Sequence, residues 1–287
     1  MNSRSLITSI AGHAIRAAGP RDFKGKGRLV HHWLQHRDPR FVGARLLSGG
    51  GRMICGFDVP YEAMVWAHQE EERELRALQM LLSPGDHFVD CGANVGLWSL
   101  VAAGRVGATG RVTAFEPNPN AHQRLIQNIS ASGDVGERIS VLHVAVASQA
   151  GFVSFETGSQ HNLGRIVVGD RGADDAIIRV PAVTLDEQLG DVPIRALKLD
   201  IEGGEAPALR GATHILTTQR PWVWAEFNVA ANGTNRIGDW EVYMLLREHG
   251  YGCRRIATGT GAPAGASIAA GEVFSGYVNV LFQPPHA

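Results

Sequence analysis

The chain has 287 residues, of which 44% are hydrophobic and 19% charged, with a formal net charge of -1. That length suits one large α/β domain with an extension, and near-neutrality removes the basic field that draws a protein to nucleic acid or to an anionic membrane. Cys55, Cys91 and Cys253 are widely spaced and form no CxxC pair, which argues against a structural zinc site or a disulfide framework and fits a reducing cytoplasm.

No apolar run reaches the ~20 residues that a membrane-spanning helix needs. Leu6, Ile7, Ile10, Ala14 and Ala17 fall at helical spacing, and His13 and Arg16 interrupt any signal-peptide core. The expectation is an amphipathic helix that packs on the body or on a second copy in a homodimer. Residues 1–60 are read as an extension of helices and loops, and residues 61–287 as the main domain. Met53–Val59 reads as a strand or hairpin arm, and Glu62–Leu82 as one helix closed by Ser83-Pro84-Gly85. Strand and helix then alternate, the pattern of a doubly wound, mostly parallel sheet. The strands are His87–Cys91, Arg111–Phe115, Ile139–Val146, Ala196–Ile201 and Trp222–Phe227, with late strands Gly252–Ile256 and Tyr277–Phe282. The intervening helices are Val95–Gly104, Ala121–Ala131, Glu205–Leu216 and Asp239–His249. Gly151–Phe155 and Ile177–Val183 read as a small inserted β cap, and Thr258–Gly271 as a flexible loop.

The turn Val89-Asp90-Cys91-Gly92-Ala93-Asn94-Val95-Gly96 joins an apolar strand to an apolar helix. In a doubly wound sheet, ligands bind at the carboxyl ends of strands where strand order reverses, and glycines there let the backbone approach a cofactor. Glu116 ends the next strand and is placed to accept hydrogen bonds from ribose hydroxyls. The turn reads D-x-G-A-N-x-G rather than G-x-G-x-x-G, so an NAD-dependent oxidoreductase would lack its pyrophosphate cradle. Asp90 is placed to meet a cationic amino-acid moiety, which S-adenosylmethionine has and NAD lacks.

These residues resemble the FkbM-type family within the class I methyltransferases. The likeness rests on FVDCGANVGLWSL (88–100), TAFEPNPNAHQRLIQNI (113–129), HVAVAS (143–148), TLDEQL (184–189), LKLDIEGGEAPALRGA (197–212) and, more weakly, PWVWAEF (221–227). It implies a seven-stranded sheet that binds S-adenosylmethionine and O-methylates a hydroxyl of a sugar, polyketide or other secondary metabolite. Carried over by position, Asp90, Gly92, Ala93, Asn94 and Gly96 would line the methionine part and Glu116 would hold the ribose. Pro117 and Asn118 would meet the adenine, with Ala145 closing over it.

Lys198-Leu199-Asp200-Ile201-Glu202-Gly203-Gly204-Glu205 is the second informative segment. Strand alternation puts Lys198, Asp200 and Glu202 on one side, with Asp200 at the strand's carboxyl end beside the methyl donor. The acceptor hydroxyl must lose a proton, and a carboxylate within reach can take it, so Asp200 and Glu226 are candidate bases. His161, in the inserted loop, is a third, with Asn162 beside it facing the site in the family likeness. Lys198 and Glu202 would support the site, and Glu205 would cap the following helix. Asp200, Glu226 and Asn228 offer an oxygen set that could hold Mg²⁺. A small-molecule or peptide N-methyltransferase is the other methyl-transfer reading. The Asx-Pro-Pro-aromatic turn common in enzymes acting on planar amines is replaced here by Leu199-Asp200-Ile201-Glu202.

Overall fold

A parallel sheet must cover both of its faces, and the chain supplies helices for each. A computed structural model of the chain describes residues 3–18, 26–69, 71–158, 164–167, 176–257 and 262–285. The N-terminal segment forms helices α1 (Ser3–Ala18) and α2 (Lys26–His36) and a hairpin of β1 (Val42–Leu46) and β2 (Arg52–Gly56). Then come α3 (Pro60–Trp66), α4 (Glu72–Leu81), β3 (His87–Cys91), α5 (Leu97–Val106), β4 (Arg111–Phe115), α6 (Pro119–Ser130) and β5 (Ile139–Leu142). The short strands β6 (Ala145–Val146), β7 (Gly151–Glu156), β8 (Arg165–Val167) and β9 (Ile177–Val183) build a separate four-stranded sheet in the order β6-β9-β7-β8. The chain continues through α7 (Leu185–Leu189), β10 (Ala196–Leu199), α8 (Glu205–Arg210), β11 (Trp222–Asn228) and α9 (Val229–Asn232). It ends with α10 (Glu241–Glu248), β12 (Gly252–Ile256), β13 (Ala264–Ser267) and β14 (Tyr277–Gln283).

The main sheet has the order β13-β12-β14-β11-β10-β3-β4-β5, with β11, β10, β3, β4 and β5 parallel and β14, β12 and β13 antiparallel. From β3 the chain runs outward to β5, then returns to β10 on the other side. The reversal between β3 and β10 is where such a sheet opens a ligand crevice. Alternation sorts the side chains between two layers. Phe88, Ala196, Trp222 and Trp224 face one core with α4 and α5; Val89, Cys91, Leu197, Leu199 and Val223 face the other with α8 and α10. The N-terminal helices join the first core through Ile15, Val30 and Trp33, and Trp33 packs edge-on against Phe57 with ring centroids 5.5 Å apart. Among the described residues no helix is long and apolar enough to cross a membrane.

Three local expectations are corrected. The helix expected over Glu62–Leu82 is broken: α3 and α4 are separated by a connection in which His68 and Glu71 adopt left-handed φ values of +57° and +55°. The strand expected over Ile139–Val146 divides. Its first half stays in the main sheet, while Ala145 and Val146 pair with Ala182 and Val183 in the smaller sheet. An eighth strand, β13, joins the seven expected and lies inside the stretch read as a loop. It pairs with β12 through Ser267 and Ala264, small residues whose run carries no alternation of hydropathy.

Glu62 is fully buried and joins three elements. Its carboxylate accepts the Gly56 N–H at 2.5 Å and pairs with Arg124 of α6, whose Nε lies 3.1 Å from Oε1. Removing one partner of a buried pair leaves an uncompensated charge, at a cost of about 3–5 kcal/mol. Arg124→Met is therefore expected to lower the unfolding free energy by about 3 kcal/mol, the low end because Arg124 is partly exposed. Urea unfolding would measure this, with the double variant Glu62→Gln/Arg124→Met recovering part of the loss. A single-variant loss below about 1 kcal/mol, the scale of an exposed surface pair, would contradict it.

Candidate active site

The carboxyl ends of β3, β4, β10 and β11 open on a cavity of about 420 Å³, a size suited to a small ligand. Close backbone approach builds its floor. Gly92 has φ of +82°, and a Cβ on it would fall 1.9 Å from the Asp200 carbonyl oxygen, so only glycine lets the first turn pass against the end of β10. Gly96, with φ of +96°, starts α5; a Cβ there would meet Leu125 at 2.6 Å. Gly96 therefore sets the turn without lining the cavity.

Glu116 clasps two strand ends. Its Oε2 accepts the Asn94 N–H at 2.7 Å and its Oε1 the Asn118 N–H at 2.8 Å. Burial pushes its carboxyl up to about 7 against the pull of these two backbone donors. Each oxygen keeps a lone pair for a further donor. Gly92, Ala93, Asn94, Glu116, Pro117, Asn118 and Ala145 all lie on the cavity wall. The Asn118 side chain is committed to structure. It caps α6 by accepting the Asn120 N–H at 3.0 Å, and it donates to the Thr157 carbonyl at 3.1 Å, tying the small sheet to the main one. Val144, Val146, Phe155 and Ile166 make this end of the cavity apolar.

Asp90 stands elsewhere than expected. It is fully buried and the wall passes in front of it. Ser99 Oγ donates to Oδ2 at 2.6 Å, and the cation it faces is the chain's own Lys198, with Nζ 3.8 Å from Oδ1. Lys198 is Asp90's partner in the parallel β10–β3 register. Its ammonium also sits 2.9 Å from Asp200 Oδ2 and 5.4 Å from the Trp98 ring centroid. Burial opposes its charge, yet Asp200, Asp90 and Glu71 outweigh burial and hold its pKa above the usual lysine range.

Asp200, Glu202 and Glu226 share the cavity wall beside Tyr277 and Asn279. Burial, then the neighbouring Asp200 and Glu202 charges, push Glu226 up to about 7; burial, Asp200 and Glu205 push Glu202 to about 6. Glu205 closes the loop before α8, accepting the Ile201 N–H at 3.1 Å and the Gly203 N–H at 3.0 Å. Asn228 caps α9, accepting the Ala230 and Ala231 N–H groups at 3.1 and 3.3 Å. Unlike Asp200 and Glu226, the other members of the oxygen set considered for Mg²⁺, it does not line the cavity. Among the described residues no group of three or more His, Cys, Asp or Glu side chains is placed to hold a metal. His161 and Asn162 lie outside the described residues. The wall also takes residues the sequence did not single out, among them Tyr61 of α3, Gln69 and Glu71 of the connection between α3 and α4, and Arg73 of α4. For Gln69, Glu71 and Arg73 the only sequence signal is the lapse of apolar spacing between Ala67 and Leu75.

The family model of the methyltransferase FkbM domain matches residues 90–253. The chain belongs to that family, whose members are S-adenosylmethionine-dependent methyltransferases, and the oxidoreductase alternative falls. Among solved structures, methyltransferase FkbM from Methylobacillus flagellatus KT is 14% identical, with 97% of this chain and 59% of that chain covered and a TM-score of 0.45. The precorrin-6y C5,15-methyltransferase from Geobacter metallireducens GS-15 is 12% identical, with 76% and 89% covered and a TM-score of 0.44. A SAM-dependent O-methyltransferase from Thermotoga maritima is 12% identical, with 76% and 66% covered and a TM-score of 0.41. This chain spans 59% of the length of the Methylobacillus protein. Comparison with curated proteins gave no match.

The residues present fit S-adenosylmethionine. The wall sets Glu71, Glu74, Glu116, Asp200, Glu202 and Glu226 against Arg73 and Lys198, an acid excess suited to a cationic ligand. Asn94 Oδ1 is buried without a hydrogen-bond partner, a group that a ligand donor would satisfy. Glu116 would hold the ribose hydroxyls, and the apolar end beside Pro117 and Ala145 would hold the base.

Lys198→Met would remove the cation nearest Asp90, whose pKa burial already raises. Asp90 would then sit further above its unfolded value of ~3.9. Its contribution is complete at pH below that value and is lost as pH rises through the raised one. The variant's deficit in urea unfolding is expected to reach about 3–5 kcal/mol near pH 8 and to shrink near pH 5. A deficit independent of pH would contradict it.

Proposed function

We propose that this FkbM-family methyltransferase transfers the methyl group of S-adenosylmethionine to a hydroxyl oxygen of a small acceptor, such as a sugar, a polyketide or another secondary metabolite. One observation carries the reading: Asp200, Glu202 and Glu226 converge from the ends of β10 and β11 on the same cavity as Glu116 and the apolar end. When bound, S-adenosylmethionine supplies an activated methyl group. The acceptor oxygen must give up its proton as it attacks, and a carboxylate within hydrogen-bond reach takes it. Glu226, with its carboxyl pushed up to about 7, is matched to proton transfer near neutral pH. Asp200, held 2.9 Å from Lys198, orients the acceptor hydroxyl. Alignment of the two reactants supplies much of the remaining acceleration.

N-methylation of a small molecule or peptide is the second reading. The strand-end carboxylates favour the hydroxyl, because an acceptor oxygen needs a base more than a neutral amine does. The three described cysteines are free and buried, in keeping with a reducing cytoplasmic setting.

A screen of hydroxylated acceptors with methyl-labelled S-adenosylmethionine tests the reading. Asp200→Asn is expected to lower kcat about 10²-fold, the scale of a misaligned reactant, while affinity for S-adenosylhomocysteine survives. Equal loss of both would make Asp200 structural. In the wild type, kcat/KM is expected to rise with pH through about 7 as Glu226 loses its proton. Glu226→Gln should abolish that limb; an unchanged limb would place the base elsewhere.

A further inference from the structure

We infer that Glu71, on the connection between α3 and α4, is the anionic anchor for the α-ammonium of the cofactor's methionine moiety. The inference rests on the reading of the cavity as an S-adenosylmethionine site, and it fills the role that Asp90 cannot take from behind the wall. Glu71 lines the cavity, and its carboxylate is fixed in orientation. Trp98 Nε1 donates to Oε1 at 2.9 Å and the Tyr61 hydroxyl to Oε2 at 3.0 Å.

The backbone is bent to bring it there. Glu71 has φ of +55° and His68 +57°, a left-handed conformation that costs a residue with a side chain. An uninterrupted helix would avoid that cost and would not place this carboxylate beside Trp98. Strain of this kind persists where the surrounding contacts over-determine it, and it collects at ligand clamps.

The charge pattern completes the case. The Lys198 ammonium is held between Asp200 and Asp90, at 2.9 and 3.8 Å, and among the described residues no cation lies within ion-pair distance of Glu71. Burial raises the Glu71 carboxyl, and the more distant Lys198 charge pulls against that rise. An amino-acid zwitterion would answer both groups, with its ammonium on Glu71 and its carboxylate toward Lys198. Asn94 Oδ1, buried without a partner on the same cavity wall, is a second acceptor for the ammonium.

The test compares two ligands that share the nucleoside and thioether but differ in the amino-acid group. The full chain is titrated calorimetrically with S-adenosylhomocysteine and with 5′-methylthioadenosine. Glu71→Gln is expected to weaken S-adenosylhomocysteine about 10- to 100-fold, the effect of one charged hydrogen bond, and to leave methylthioadenosine within about twofold. Tyr61→Phe, which loosens the carboxylate without removing it, should weaken S-adenosylhomocysteine by a smaller factor and again spare methylthioadenosine. Equal weakening of both ligands by Glu71→Gln, or no weakening of either, would overturn the inference. Wild-type protein that binds methylthioadenosine as tightly as S-adenosylhomocysteine would overturn it while leaving the nucleoside site standing. Wild-type protein that binds neither would overturn the cofactor reading and the anchor together.

Discussion

The ammonium of Lys198 sits where β3 and β10 meet, between Asp90 and Asp200, and the site depends on that placement. A lone carboxylate as buried as Asp90 would cost several kcal/mol or take up a proton. Paired across the strands, it stays in the interior and stiffens the first turn through Ser99. The same ammonium reaches forward to Asp200 at the cavity's edge. One cation thus joins the structural half of the sheet to its chemical half, and the Trp98 ring on its flank covers it from the side of α5.

The cavity differs on the two sides of that cation. On the side of β4, the clasp of Glu116 on the Asn94 and Asn118 backbone holds the turn open at the width that Gly92 permits. On the side of β11, no cation among the described residues is in ion-pair distance of Glu226, and burial with the neighbouring Asp200 and Glu202 charges pushes its carboxyl up to about 7. A group that exchanges its proton near neutral pH suits the base role proposed for Glu226. Asp200 is ion-paired to Lys198 while Glu226 faces the Asp200 and Glu202 charges, so the two carboxylates of this wall sit in different electrostatic surroundings.

Much of this was legible in the sequence, for physical reasons that differ by element. The order of strands and helices showed because buried parallel strands leave short apolar runs between amphipathic helices. The glycine turn and Glu116 showed because so close a backbone approach admits only glycine, and because a carboxylate ending a strand beside that turn can clasp the backbone on either side. Asp90 was located but its direction was not: alternation says which face of the sheet a side chain takes, not whether a lysine on the next strand reaches it first. The break before Glu71 was missed because the run from Ala67 to Arg73 is polar and compatible with a helix; only Trp98 and Tyr61, distant in sequence, make the bend pay. The edge strand β13 is held by its pairing with β12 and not by any pattern in Ala264–Ser267. Asn228 looked like a metal ligand because a strand end and a helix cap draw on the same residue type.

The roles proposed for the cavity residues depend on which ligand occupies the end at β3 and β4. Calorimetric titration of the intact chain with S-adenosylhomocysteine, alongside NAD⁺, tests it most directly. Micromolar binding of S-adenosylhomocysteine with no heat from NAD⁺ is the predicted result. Absence of binding, or a preference for the nicotinamide cofactor, would contradict it and would remove the roles given to Glu116, Asp200 and Glu226 together.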